Sequence, residues 1–123
     1  VFGLPRIIRD APALRRLTGL VDSPSNGITF CTGSLGARPS NDLVAMAQEF
    51  APRVRFAHAR NVRHLGPDQF QETAHPNGDL DLAAIVIALA KGGFDGTIRP
   101  DHGRMIWGET GTAGYGLFDR ALG

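Results

Sequence analysis

The sequence predicts an α/β fold, half of a parallel (β/α)8 barrel, and three observations point there. Short β-like runs near residues 1–4, 27–31, 53–58 and 95–99 alternate with helical patterns, the signature of βαβ units and a parallel sheet. The chain has 123 residues, where a complete eightfold barrel typically takes about 250. Three of the runs also end in a residue that binds metals or moves protons, Cys31, His58 and Asp101-His102. In such barrels the side chains at strand C-termini converge on one mouth, where active sites are built.

The elements follow in order. Val1-Phe2-Gly3-Leu4-Pro5 reads as the end of a strand already under way. With no initiating methionine, this gives the expectation of the C-terminal piece of something longer. Asp10 is a plausible N-cap for a helix over Asp10 to Val21, with Leu14, Leu17, Leu20 and Val21 at helical spacing. Gly27-Ile28-Thr29-Phe30-Cys31 is the second strand. Ser40 or Asn41 could cap a helix to about Phe50, carrying Leu43, Val44, Ala47 and Phe50 on one face, and Pro52 stops it. Val54-Arg55-Phe56-Ala57-His58 is the third strand. Alternation would put Phe56, His58 and Arg60 on one face and Arg55, Ala57 and Ala59 on the other. Residues 61–78 show no convincing periodicity and read as a long loop over the mouth. Asp79 or Asp81 opens the strongest helical pattern, with Leu82, Ile85, Val86 and Leu89 as its buried stripe and Gly92-Gly93 closing it. The last strand runs into Arg99-Pro100-Asp101-His102-Gly103-Arg104, and the Gly-rich stretch 103–114 is irregular.

Right-handed crossovers place consecutive strands side by side with helices on the outer face. Four strands leave two open edges and a bare inner face. The expectation is one partial domain over 1–123, covered by another copy in a homo-oligomer or by the missing half-barrel.

Composition limits the function classes. With 42% hydrophobic and 20% charged residues the chain reads as globular. A net charge of +1 gives no field that argues for nucleic acid or a lipid surface. One cysteine excludes an internal disulfide framework, so a reducing cytoplasm is the default. No apolar run approaches the roughly 20 residues that span a bilayer.

The candidate site residues are Cys31, His58 and Asp101, with His102, Arg60, Arg99, His75 and Tyr115 around them. A lone cysteine is most often a small buried hydrophobe, but Cys31 ends a strand before the loop Thr32-Gly33-Ser34, whose backbone N–H groups could hold an anionic oxygen. Arg60, two residues past His58, makes a poor core neighbour for a histidine and a good grip for a carboxylate. Pro100 keeps Arg99 extended. Adjacent Asp101 and His102 cannot share a strand face, so one could bind metal while the other moves protons. Three protein ligands with an open position describe a catalytic metal site, and ligand softness alone favours zinc or ferrous iron over manganese. His75, in a loop before Pro76, has a turn role open to it. The Tyr115 hydroxyl could serve as acid or base.

Taken together, Phe2-Gly3-Leu4-Pro5-Arg6, Thr29-Phe30-Cys31-Thr32-Gly33-Ser34, Asn41-Asp42-Leu43, His58-Ala59-Arg60, Ala74-His75-Pro76-Asn77-Gly78-Asp79, Arg99-Pro100-Asp101-His102-Gly103 and Gly114-Tyr115 resemble mannonate dehydratase across nearly the whole chain. That resemblance implies a xylose-isomerase-like barrel that binds Mn2+ or Fe2+ and eliminates water from D-mannonate, giving 2-keto-3-deoxy-D-gluconate in hexuronate (glucuronate) catabolism. It implies Cys31, His58 and Asp101 as metal ligands, with a fourth, a histidine, expected upstream of Val1. Ala113 stands where the family often has proline. Removal of the proton beside the substrate carboxylate gives an enediolate-like species that a divalent ion and cations stabilise. His102 and Tyr115 are the candidate proton-transfer pair, with roles unassigned between them. Arg60, Arg99 and His75 are the candidate substrate contacts. Two rival readings are a non-enzymatic half-barrel used in assembly, and a sugar isomerase or epimerase of the same barrel type.

Overall fold

The computed structural model describes residues 7–67 and 69–101. The strand expected near 1–4, His102, the 103–114 stretch and Tyr115 lie outside them.

Three strands, β1 (Ile28–Cys31), β2 (Val54–His58) and β5 (Thr97–Arg99), form a parallel sheet in the order β1-β2-β5. Sequential neighbours in one parallel sheet are what right-handed crossovers produce. The register aligns Cys31 with His58, and His58 with Arg99. All three therefore stand on one face at the C-terminal end of the sheet. The other face presents Ile28, Phe30, Val54 and Ala57 to a buried core completed by Leu35, Leu43, Met46, Phe50, Ile85 and Leu89. Truncating a fully buried phenylalanine such as Phe30 would cost about 3–5 kcal/mol.

Strict alternation does not survive in β2. The register slips between Ile28 and Thr29, which pair with Val54 and Phe56, so Arg55 is an extra residue. A bulge of this kind resets the side-chain phase, and here it lets Val54 and Ala57 both face the core. Arg55 is turned out and donates to the carbonyls of Pro52 and Pro24.

The helices are α1 (Ala11–Gly19), α2 (Thr32–Gly36), α3 (Leu43–Phe50) and α4 (Leu82–Lys91). Asp10, Asp42 and Asp81 cap α1, α3 and α4, each accepting from the backbone N–H three residues on. The cap of α3 is thus Asp42 rather than Ser40 or Asn41. The Asn41 amide instead donates to the carbonyls of Arg9 and Leu35. At the far end of α1, the Asn26 amide donates to the carbonyls of Leu17, Thr18 and Val21 and ties the following turn back to the helix end.

Residues 61–78 are not the expected irregular loop. They hold an antiparallel hairpin, β3 (Asn61–Gly66) with β4 (Gln69–Thr73), followed by a single 3-10 turn at His75–Asn77. Buried Asn61 ties the hairpin down. Its amide donates to the carbonyls of His75 and Leu80, and its oxygen accepts from the N–H groups of Val62 and Leu80. A Cβ on Gly78 would collide with this Asn61 side chain and come within 2.7 Å of the Thr73 hydroxyl, so the close approach needs glycine. Among the described residues no helix is long and apolar enough to cross a membrane.

Candidate metal centre

The site forms where β1, β2 and β5 end. Cys31 closes β1 and doubles as the N-cap of α2, its sulfur accepting from the Ser34 N–H at 3.4 Å. His58 closes β2. Asp101 lies two residues past β5, at φ 77°, a left-handed backbone that aspartate tolerates better than most residues and that is often found at functional sites. The Arg99 guanidinium, on the same register row as His58, donates to the Asp101 carbonyl and closes that turn.

One donor atom from each of Cys31, His58 and Asp101 lies within 4.8 Å of the others. His58 Nδ1 is 3.2 Å from Asp101 Oδ1, and Cys31 Sγ is 3.8 Å from Asp101 Oδ2. The His58 ring also packs edge-on against Phe56, with centroids 5.1 Å apart. Phe56 lies on the same face of the sheet, one pleat below it.

Strand β2 has ended before Arg60, yet this side chain still reaches the cluster. Its Nη1 is 3.3 Å from Asp101 Oδ2 and 3.7 Å from Glu72 Oε2, and its Nη2 donates to Ser34 Oγ at 3.3 Å. The side chains of Arg60 and Asp101 are only 17% and 16% exposed. At that burial a cation beside the carboxylate offsets much of the cost of holding it charged. Arg60 crosses directly over Gly33, where a Cβ would sit 2.9 Å from Arg60 Cγ and 3.0 Å from Arg60 Cβ.

His75 stands beside the cluster rather than in it. Its Nε2 is 2.7 Å from the Ala59 carbonyl, which lies between His58 and Arg60. Two contributors had no signal in the sequence. Glu72 arrives on the unexpected hairpin. Thr32, buried at 2% exposure, has its hydroxyl on the backbone of residues 58 and 60. A separate cleft of about 320 Å³ between α1 and α3, lined by Asp10, Arg15, Arg38 and Glu49 among others, shares no residue with the cluster.

Away from the cluster, Asp79 is tied to strand β3 of the hairpin. The backbone N–H of His64 donates to Asp79 Oδ2 at 2.7 Å and holds the Asp79 carboxyl below the usual carboxylate range, with the His64 ring at 3.2 Å adding to the effect.

A family model for D-mannonate dehydratase (UxuA) matches residues 1–123. The chain belongs to the D-mannonate dehydratase family. It is 57% identical over 125 residues to a mannonate dehydratase of Enterococcus faecalis, covering 100% of this chain and 35% of that protein. It is 54% identical over 127 residues to mannonate dehydratase 2 of Halalkalibacterium halodurans, covering 100% of this chain and 37% of the relative. Among solved structures, the crystal structure of mannonate dehydratase from Streptococcus suis serotype 2 superposes with a TM-score of 0.88 at 50% identity, covering 100% of this chain and 36% of that one. The chain therefore spans about a third of the length of the curated relatives it matches.

Proposed function

We propose that residues 1–123 are one partial domain, the C-terminal half of a xylose-isomerase-like (β/α)8 barrel, that serves a metal-dependent mannonate dehydratase in the cytoplasm. The reaction is the removal of water from D-mannonate to give 2-keto-3-deoxy-D-gluconate, a step of hexuronate breakdown. The observation that carries this reading is the meeting of a thiol, an imidazole and a carboxylate, within 4.8 Å of one another, at three strand ends of a chain of this family.

Cys31, His58 and Asp101 would hold Mn2+ or Fe2+. The donor set fits a divalent ion. It offers one ligand of each chemical type, and three protein ligands leave room for substrate, as in catalytic metal sites. Arg60, 3.3 Å from Asp101 Oδ2, would hold the carboxylate in place beside the ion. When bound, the ion would draw electron density from the substrate's carboxylate and hydroxyl oxygens and so acidify the adjoining C–H.

The chain's own residues have the remaining tasks. Arg60 and Arg99 would receive the substrate carboxylate, since both lie at the mouth on the side of Asp101. His75, with Nε2 engaged by the Ala59 carbonyl, would offer Nδ1 to a substrate hydroxyl. His102 and Tyr115 would move the two protons of the elimination. One takes the proton from the carbon beside the carboxylate. The other gives a proton to the hydroxyl leaving the next carbon, so that water departs and the enol becomes the ketone. The open sheet edges would be covered by the other half-barrel or by a second copy.

The test is a dehydration assay with added manganese on D-mannonate and on neutral sugars. The full-length chain should form the 2-keto-3-deoxy acid from D-mannonate alone, and the isolated 123 residues should show little or no turnover. An isomerised or epimerised product would overturn the reaction assignment. Robust turnover by the isolated residues would overturn their incompleteness.

A further inference from the structure

We infer that Thr32 is a positioning residue of the metal centre, its hydroxyl fixing the backbone that carries His58 and Arg60 relative to Cys31. The inference rests on the metal-binding reading above and goes beyond it, because Thr32 has no place among the ligands or the substrate contacts.

Thr32 directly follows Cys31 and is the first residue of α2. Its hydroxyl accepts the Arg60 N–H at 2.8 Å and lies 2.6 Å from the Arg60 carbonyl oxygen and 3.1 Å from that of His58. A hydroxyl has one proton to give and two lone pairs. The nearer carbonyl, that of Arg60, takes the proton, so one side-chain atom meets both main-chain polar groups of a single residue. It does so where the sheet can no longer help. The Ala59 N–H donates to the Arg99 carbonyl at 2.8 Å, and among the described residues the pairing with β5 does not continue to Arg60. Thr32 thus replaces the missing strand for Arg60.

The placement is what makes this more than backbone satisfaction. One residue before Thr32 is Cys31. Two residues before Arg60 is His58. The Arg60 side chain ends 3.3 Å from Asp101. A shift of the 58–60 backbone relative to Thr32 would change the distances from Cys31 to His58 and from Arg60 to Asp101 together. Groups that orient metal ligands in this way typically alter affinity 10–100-fold when removed.

The test uses the full-length chain with Thr32→Val, which keeps the shape and deletes the hydroxyl, and Thr32→Ser, which keeps the hydroxyl. Three quantities are read: Mn2+ affinity by calorimetric titration, the absorption bands of the Co2+-loaded protein, and the circular dichroism of the metal-free protein. Thr32→Val should bind Mn2+ about 10–100-fold more weakly and show displaced cobalt bands while keeping a folded dichroism spectrum. Thr32→Ser should restore affinity and bands to near those of the parent. The inference is overturned if Thr32→Val matches the parent in both readouts, if Thr32→Ser falls as far as Thr32→Val, or if binding is lost only together with the fold. A parent protein that takes up neither ion would instead bring down the metal reading, and this inference with it.

Discussion

Replacing Gly33 by alanine sets two opposed effects against each other at the edge of the site. Gly33 lies inside α2 with a negative φ, so alanine would gain up to about 1 kcal/mol of helix propensity. Against this stands the Arg60 side chain. A Cβ at position 33 would come within 2.9 Å of Arg60 Cγ and 3.0 Å of Arg60 Cβ, well inside ordinary contact. Those atoms belong to the base of the side chain, and the backbone beneath them is held by Thr32, so they yield little. Overpacking of this kind costs about 1–3 kcal/mol. Pushing Arg60 aside also strips Asp101 of a mostly buried counter-charge. That loss is about 1–2 kcal/mol, between the exposed-pair and fully buried limits. Gly33→Ala should therefore destabilise the full-length chain by about 1–4 kcal/mol, read as a lower urea midpoint at unchanged slope. Gly19→Ala is the control. It also lies in a helix with negative φ, but nothing lies within 4 Å of its Cβ, so the same change should be neutral or slightly stabilising. A Gly33→Ala protein as stable as its parent would refute the close packing of Arg60 over α2.

Three further outcomes follow from other contacts. Asp42→Ala removes the oxygen that accepts the Ala45 N–H and should cost about 1 kcal/mol in urea unfolding, whereas Asn41→Ala removes no cap of α3. The Asp79 carboxyl is held below its ordinary range by the His64 N–H, so its contribution to the hairpin is fully present above the usual carboxylate pKa. That contribution is lost as pH falls through the lowered value. Asp79→Asn should flatten this acid-side loss of amide protection in β3, and an unchanged acid profile would contradict the link. Mn2+ should slow the labelling of Cys31 by a thiol reagent in the full-length chain, and an unchanged labelling rate would place the ion elsewhere.

Much of the fold is legible in the sequence because its signals are local. The cap at Asp10, the cap at Asp81 as one of two candidates, the stop at Pro52 and the glycines after α4 each act within a turn of the residue that shows them. Asp42 as the cap of α3, in place of the expected Ser40 or Asn41, is not legible, since Asn41 is drawn off by the distant carbonyl of Arg9. The hairpin is hidden in the sequence for a different reason. Only Asn61 and Val62 in β3 and no residue of β4 are buried, so neither strand has an apolar face to print a period of two. Main-chain pairing, Asn61 and the Asp79 carboxylate hold it instead. At the site, Cys31, His58 and Asp101 could be picked out as chemistry-bearing residues at strand ends. Glu72 could not, because it depends on the hairpin. Thr32 could not, because its partners are set by the way β1 and β2 align. The bulge at Arg55 likewise depends on which residues the core must bury.

The metal centre is tested most directly by titrating Mn2+ into the metal-free full-length chain and its single variants. Cys31→Ser, His58→Ala and Asp101→Asn should each weaken binding by at least about 100-fold, beyond the usual effect of a supporting residue. His75→Ala, whose ring faces the Ala59 carbonyl, should leave affinity within a few-fold of the parent. Parent-like affinity in all three ligand variants would contradict the account, and the cluster would then be a set of polar contacts around Asp101 rather than a metal site.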